Sequence, residues 1–223
     1  MSHTSITLRA SSLQRCLWRA GSMWLLLGMA TLLLLGAANA APFAAAAPIA
    51  RWPGGNDYQR SVHSYPTPDV LLTDADAKPV RLRDLLASND PVMLNFVFTT
   101  CNTVCPAMVR VFADVPARLG AAAKNLRMIS ISIDPDNDTP ARLKAYSQQF
   151  GALTRWQFLT GRPQDVRTLQ LAFDGYRGDK MNHEPLTLMR RESSKPWIRI
   201  DGFANPDELV REFVREPEKE SAP

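Results

Sequence analysis

The sequence holds no excess of charge of one sign once its start is set aside. The formal net charge is +4, but Arg9, Arg15 and Arg19 stand in the first 40 residues without an acid, leaving 23 basic against 22 acidic side chains. A near-neutral domain lacks the electrostatic footprint of a nucleic-acid binder, so no nucleic-acid partner is expected. No internal repeat is visible. The apolar run from Met23 to Ala38 has 16 residues, short of the roughly 20 that a spanning helix needs. Thiols and imidazoles are scarce, with three cysteines and three histidines. A hydrophobic share of 45% beside a charged share of 22% excludes a chain disordered throughout.

What the first 40 residues do contain reads as an address. A basic stretch precedes "MWLLLGMATLLLLGAA", and "ANA" before Ala41 fits an A-x-A cleavage site. A cleaved signal peptide is the expectation. The alternatives are an uncleaved anchor attached to the membrane through residues 23–38 and, given the Arg- and Ser-rich acid-free start, an organelle transit peptide. Each delivers the remainder outside the cytosol, where thiols can oxidise; the periplasm is the expected location, soluble or tethered to the inner membrane. Cys16 precedes the apolar run, which is the wrong side for a lipid-modified cysteine. The exported part then owns Cys101, Cys105, His63 and His183.

Composition and patterning divide the rest. Residues 41–60, rich in Ala, Pro and Gly, read as a flexible linker. Residues 61–214 carry the domain, and a charged tail follows from Arg215. "DVLLTDADAKPVRL" predicts two short strands around a turn, and "RLRDLLAS" a short helix. "PVMLNFVF" is an unbroken β-favouring apolar run, expected of a buried central strand. A helix should begin near Val104–Pro106, with Pro116 kinking or ending it. "LRMISISI" is a second buried strand, and Asp138 or Thr139 caps a helix with Pro140 at its first position. "RWQFLTG" predicts a strand, "RPQDVRTLQLAFD" a helix, "PLTLMR" and "PWIRIDG" a hairpin, and "NPDELVREFV" a closing amphipathic helix. The order is α/β: a central mixed β-sheet flanked by helices, with an N-terminal β-hairpin extension.

Cys101 and Cys105 lie where a central strand hands over to its helix, the end of such sheets at which sites gather. The free N–H groups and dipole of a helix start favour thiolate, the form that attacks disulfides or binds metal. Three intervening residues let both sulfurs face one point. The pair could be a structural staple, a redox couple or two ligands of a soft metal. Dithiol exchange needs only two sulfurs and access. Copper suits thiolates plus an imidazole. Structural zinc wants four ligands, and these histidines lack zinc-finger spacing. His183, in the Gly-punctuated loop "GYRGDKMNHEPLTLM", is the better candidate for a third ligand, while His63 and Met181 are read as bystanders, the methionine as a packed one.

"NFVFTTCNTVCP", "ISIDPDNDTPARLKAYSQQF", "FLTG" and then His183 before the penultimate strand, taken in this order over residues 62–214, resemble the Sco/SenC copper chaperones. The resemblance implies a thioredoxin-like fold and one copper ion, as Cu(I) or Cu(II), held by Cys101, Cys105 and His183. It implies a role in assembling the dinuclear copper centre of cytochrome c oxidase subunit II, with an upstream copper donor or thiol reductant as a further partner. No substrate is turned over in that role. The rival readings are a thiol-disulfide oxidoreductase acting on the same centre's cysteines through a Cys101–Cys105 disulfide, or a redox sensor. Asp134 matches a position near the family's site and also fits a strand-end cap. Asn182 and Glu184 stand where the family usually has Asp and Ser or Thr, which alters the tuning of the imidazole. Pro185, before a strand facing the cysteines, is expected to follow a cis peptide bond.

Overall fold

The computed structural model describes residues 58–151 and 154–215. The address, linker residues 41–57 and the tail from 216 lie outside them, as does the attachment expected through 23–38. Among the described residues no helix is long and apolar enough to cross a membrane.

Eight strands form one sheet: β1 (Tyr58–His63), β2 (Leu71–Asp74), β3 (Pro79–Arg81), β4 (Val92–Val97), β5 (Arg127–Ser132), β6 (Trp156–Gly161), β7 (Leu186–Arg190) and β8 (Trp197–Gly202). Their spatial order is β1-β8-β7-β4-β5-β6-β2-β3. The segments β4, β5 and β6 run parallel and every other pairing is antiparallel, which makes the sheet mixed. Among the described residues the α-helices are α1 (Leu82–Ala87), α2 (Val104–Leu119), α3 (Pro140–Gln149), α4 (Pro163–Ala172) and α5 (Pro206–Val214).

The local chemistry accounts for these elements. All six residues of β4 are buried, as its unbroken apolar run requires of a central strand. Its one polar member, Asn95, accepts from Ser130 Oγ of β5 at 2.7 Å, while its Nδ2 is buried without a hydrogen-bond partner. The α3 start has Thr139 accepting from the Arg142 N–H ahead of Pro140. Asn205 and Glu208 close a reciprocal capping box on α5, a device worth about 1 kcal/mol. The β2–β3 hairpin adds itself to the outer edge of β6, which is the expected extension.

Two expectations are corrected. Of the two outcomes expected at Pro116, a kink or an end, the end is corrected: α2 runs on to Leu119. The proline lies in the last turn, where its missing N–H leaves only one upstream carbonyl without its usual donor, and Gly120, at φ 55°, ends the helix by donating to the Pro116 carbonyl. The sheet also begins inside the expected linker: β1 starts at Tyr58 and pairs with β8 from Tyr58↔Gly202 to His63↔Trp197. His63 is spent locally, sharing a hydrogen bond with Ser61 Oγ at 2.8 Å and stacking on Tyr65.

The topology that matters for chemistry is at the carboxyl end of β4. This strand leads into the cysteine loop, its parallel neighbour β5 ends beside it, and antiparallel β7 enters from the same end with Asn95 opposite Thr187. The residues just before β7, His183 among them, are thereby brought to the tip of β4.

Candidate metal and thiol centre

Beyond β4 the chain turns through residues 98–103. The Cys101 N–H donates to the Phe98 carbonyl at 3.2 Å. Cys105 is the second residue of α2, and its backbone N–H donates to Cys101 Sγ at 3.4 Å. An otherwise unpaired donor of a helix start is thus aimed at a sulfur. Both cysteines are free thiols. Cys101 is partly exposed, whereas Cys105 is fully enclosed and belongs to the hydrophobic core.

The two sulfurs differ in acidity for physical reasons. Burial pushes the Cys101 thiol up, but the backbone N–H groups of Cys105 and Thr103 outweigh it and hold this thiol below the ordinary value. Burial pushes Cys105 far up, and charge on Cys101 adds to the rise. The helix start therefore activates one sulfur, not both. Iodoacetamide should modify Cys101 at least about ten times faster than Cys105 in reduced protein, because thiolate fraction and access favour the same residue. Its rate should climb at lower pH than that of a free thiol. Peptide mapping after brief labelling across neutral to alkaline pH measures both.

His183 is partly buried, and its Nε2 lies 3.1 Å from the Phe96 carbonyl oxygen. A carbonyl only accepts, so Nε2 carries the proton and Nδ1 keeps the lone pair. Burial lowers the pKa of this ring, with the Phe96 contact acting against it. The imidazole is therefore neutral near pH 7, the form that ligates metal. Asn182 is exposed in a short 3-10 turn, Lys180–Asn182. Pro185 follows a trans bond, since no described peptide bond is cis. The expected cis bond is thereby corrected: trans is the ordinary state of an X–Pro amide, and here the Pro185 carbonyl accepts from the Gly202 N–H at 2.9 Å and ties this end of the loop to β8. Met181 is 74% exposed, so it is no packing residue.

Asp134 does more than cap β5. Its buried carboxylate accepts from Asn137 Nδ2 at 3.0 Å and pairs with Lys180 Nζ at 2.5 Å, reaching the loop that bears His183. Asp138 is fully buried, accepting from the Thr99 N–H, the Thr99 hydroxyl and the Ser132 hydroxyl. It fixes the start of the cysteine loop. Sequence reading placed Asp138 only as a helix cap and did not single out Lys180 or Thr99. An acid beside a helix start and a lone lysine in a Gly-rich loop leave no periodic signal of such distant pairings.

The structure brings Cys101 and Cys105 together and stations His183 two residues back along the strand from Phe98, where the cysteine loop is anchored. An extended step of that size is about 7 Å. Among the described residues no three His, Cys, Asp or Glu side chains form a group that could hold a metal ion. The donor set nevertheless fits a soft monovalent cation: two sulfurs and a neutral imidazole with a free Nδ1. Closure onto a metal requires the imidazole and the two sulfurs to come closer together.

The SCO1/SenC family model matches residues 66–215. A SCO1 protein homolog of Bacillus subtilis is 33% identical over 102 residues, which cover 45% of this chain and 52% of that protein, so the match spans about half of that relative's length. The structure of BsSco, a member of the Sco family of cytochrome c oxidase assembly proteins in which a disulfide switch was identified, is 26% identical, with a TM-score of 0.58 over 69% of this chain and 94% of that one. ScoI of Bradyrhizobium japonicum with copper bound is 25% identical, with a TM-score of 0.52 over 66% of this chain and 96% of that one. With the mixed sheet described above, these likenesses bear out the thioredoxin-like fold.

Proposed function

This chain belongs to the SCO1/SenC family, and from that premise we propose that it is an exported copper-binding metallochaperone serving the dinuclear copper centre of cytochrome c oxidase subunit II. The observation that carries the reading is the pairing of two free thiols at one helix start with a neutral imidazole on the same strand tip. Copper binding by solved relatives supports it. In this reading the cargo is one copper ion per chain. Cys101 and Cys105 give up their protons and supply thiolate charge, and His183 offers Nδ1 as the third donor. Three donors leave one side open, through which an acceptor's cysteines take the cargo by ligand exchange. Oxidation of Cys101 and Cys105 to a disulfide removes both thiolates and ends retention.

A second reading has a specific observation behind it. The activated, accessible Cys101 beside the enclosed, weakly acidic Cys105 is the asymmetry of a dithiol reductant. Cys101 thiolate would attack one sulfur of an acceptor disulfide, releasing the other acceptor sulfur as thiolate. Cys105 would lose its proton and attack Cys101 in the mixed disulfide, freeing the second acceptor thiol and leaving Cys101–Cys105 oxidised. An upstream thiol reductant would return the two electrons.

One comparison separates the readings: anaerobic Cu(I) titration of reduced wild type and His183→Ala, beside disulfide-reduction rates for both. The chaperone reading expects one tightly held Cu(I), weakened at least about tenfold in the variant, while thiol exchange persists. Weak copper uptake unchanged in the variant, with fast exchange, supports the reductant instead. The periplasmic location and the fate of residues 1–40 belong to the same proposal, and N-terminal sequencing of mature protein tests them.

A further inference from the structure

The phenol of Tyr146 is a buried polar group with no part in either reading of the cysteines. The residue is 7% exposed, and its hydroxyl has no hydrogen-bond partner. Buried polar side chains are paired in the large majority, so an orphaned donor calls for a reason. The ring itself is held by packing: its centroid lies 5.0 Å from that of Phe150 and 6.2 Å from that of Phe158.

The fold aims this hydroxyl at the cysteine end of the domain. Helices α2 and α3 lie on one face of the sheet, since Phe112 of α2 packs on Trp156 of β6 and Tyr146 of α3 on Phe158, two residues along the same strand. Both return from parallel strands, so they run in the same direction. The Arg110 guanidinium, 5.3 Å from the centre of the Phe150 ring, sets them abreast. Tyr146 stands one turn before Phe150 and is therefore level with the turn before Arg110, the start of α2 that holds Cys105. A helical side chain leans toward the N-terminus of its helix, which carries the hydroxyl further the same way. The electrostatics agree: burial pushes the pKa of the phenol up, and charge on Cys105, Cys101 and Asp138 adds to the rise. The phenol keeps its proton and remains a donor. Of the three groups that face it, Asp138 is already taken by Thr99 and Ser132. Cys101 is met by the Cys105 N–H. Cys105 is the enclosed sulfur, on which charge is hardest to place.

We propose that Tyr146 is a positioning residue for the metal centre, its O–H held in reserve for the Cys105 sulfur and donating to it once that sulfur carries charge. This inference rests on the copper reading above. In metal-free protein Cys105 keeps its proton, and a neutral thiol is a weak acceptor, so the phenol stays idle. When a cuprous ion binds, the S–H bond breaks, the proton passes to solvent and a Cu–S bond forms, with no electron transferred. The sulfur then brings thiolate charge into the core, where a hydrogen bond to a charged acceptor is strongest. Metal loading thus gives the hydroxyl the partner that burial had denied it.

Tyr146→Phe removes only the oxygen, and three readouts on the full chain test the proposal. Reduced and metal-free, the variant should melt at or above the wild-type temperature, because no hydrogen bond is lost with the hydroxyl. Under anaerobic competition it should hold Cu(I) about tenfold less tightly, the lower end of what outer partners of a metal ligand contribute. In wild type labelled with tyrosine carrying carbon-13 at Cζ, the resonance missing from Tyr146→Phe should shift when Cu(I) is added. A merely structural hydroxyl would lower the melting temperature and leave that resonance in place. A lower melting temperature of the metal-free variant therefore overturns the proposal, as does a resonance that stays put on loading. Cu(I) held by Tyr146→Phe as tightly as by wild type overturns the role of Tyr146 alone. A wild type that takes up no Cu(I) overturns the copper reading, and this role with it.

Discussion

Cys101→Ser and Cys105→Ser should each abolish tight Cu(I) uptake by the reduced chain, lowering affinity by at least about a hundredfold, since even outer partners of a metal ligand are worth ten- to a hundredfold. Serine matches cysteine in shape but offers a hard oxygen that stays protonated, so the soft two-sulfur grip is lost with either change. The two variants should part company in stability. Cys101 is partly exposed at a loop, and its replacement should leave the melting temperature near wild type. Cys105 has no exposed surface and packs within the hydrophobic core. The sulfur there is met by the Phe98 backbone and Cys101 but is otherwise set among core side chains, so burying the more polar hydroxyl should cost about 1–3 kcal/mol. Cys105→Ala removes the sulfur without adding a hydroxyl, which separates the metal effect from the folding effect. Competition titration under anaerobic conditions and thermal unfolding, run on all three variants, measure the two consequences. A serine variant that holds Cu(I) as tightly as wild type would exclude that sulfur from the site.

Most of the fold is legible because its elements carry local signals. β4 is an unbroken apolar run, and α3, α4 and α5 each begin with a proline at or beside the first position. β1 escaped for the converse reason. "YQRSVH" has neither alternation nor an apolar run, and only its pairing with β8 makes it a strand. Pro116 misled because the rule for interior prolines weakens within a turn of the helix end, where few carbonyls still await a donor.

The candidate site was legible in part. Two cysteines four apart at a strand-to-helix handover announce themselves. His183 follows about 80 residues later, and no spacing rule connects it to them. Its place is set by antiparallel β7 beside β4, a pairing visible only in the fold, so the residues offered it only as the better of two histidines and the resemblance to a family strengthened it. The buried charges were less legible still. Asp134 reaches Lys180 and Asp138 reaches Thr99 across 46 and 39 positions of sequence, and side-chain pairing over such distances has no period to read.

Asp138→Ala should be the most damaging change outside the ligands. Its carboxylate is fully buried and takes hydrogen bonds from the Thr99 N–H at 3.2 Å, from the Thr99 hydroxyl, and from Ser132 Oγ at 2.6 Å. Alanine would strand donors at both places, one of them on Ser132, which is itself fully buried. Bonds to a charged acceptor and the desolvation of orphaned donors together suggest a loss of about 3 kcal/mol. For a domain of this size that is a fall in melting temperature of roughly 10 °C. Asp138→Asn keeps the shape and one accepting oxygen but turns an amide donor toward other donors, so it should fall between alanine and wild type. The damage should not stop at stability. Thr99 stands two residues before Cys101, and with its N–H untied the cysteine loop loses its fixed start. Cys105 should become more reactive toward iodoacetamide as its enclosure loosens, and Cu(I) affinity should drop although no ligand has changed. Melting curves, alkylation rates and copper competition on the two Asp138 variants check the three effects. If the melting temperature falls while thiol reactivity and affinity stay at wild-type values, Asp138 supports the fold alone and the cysteine loop keeps its geometry without it.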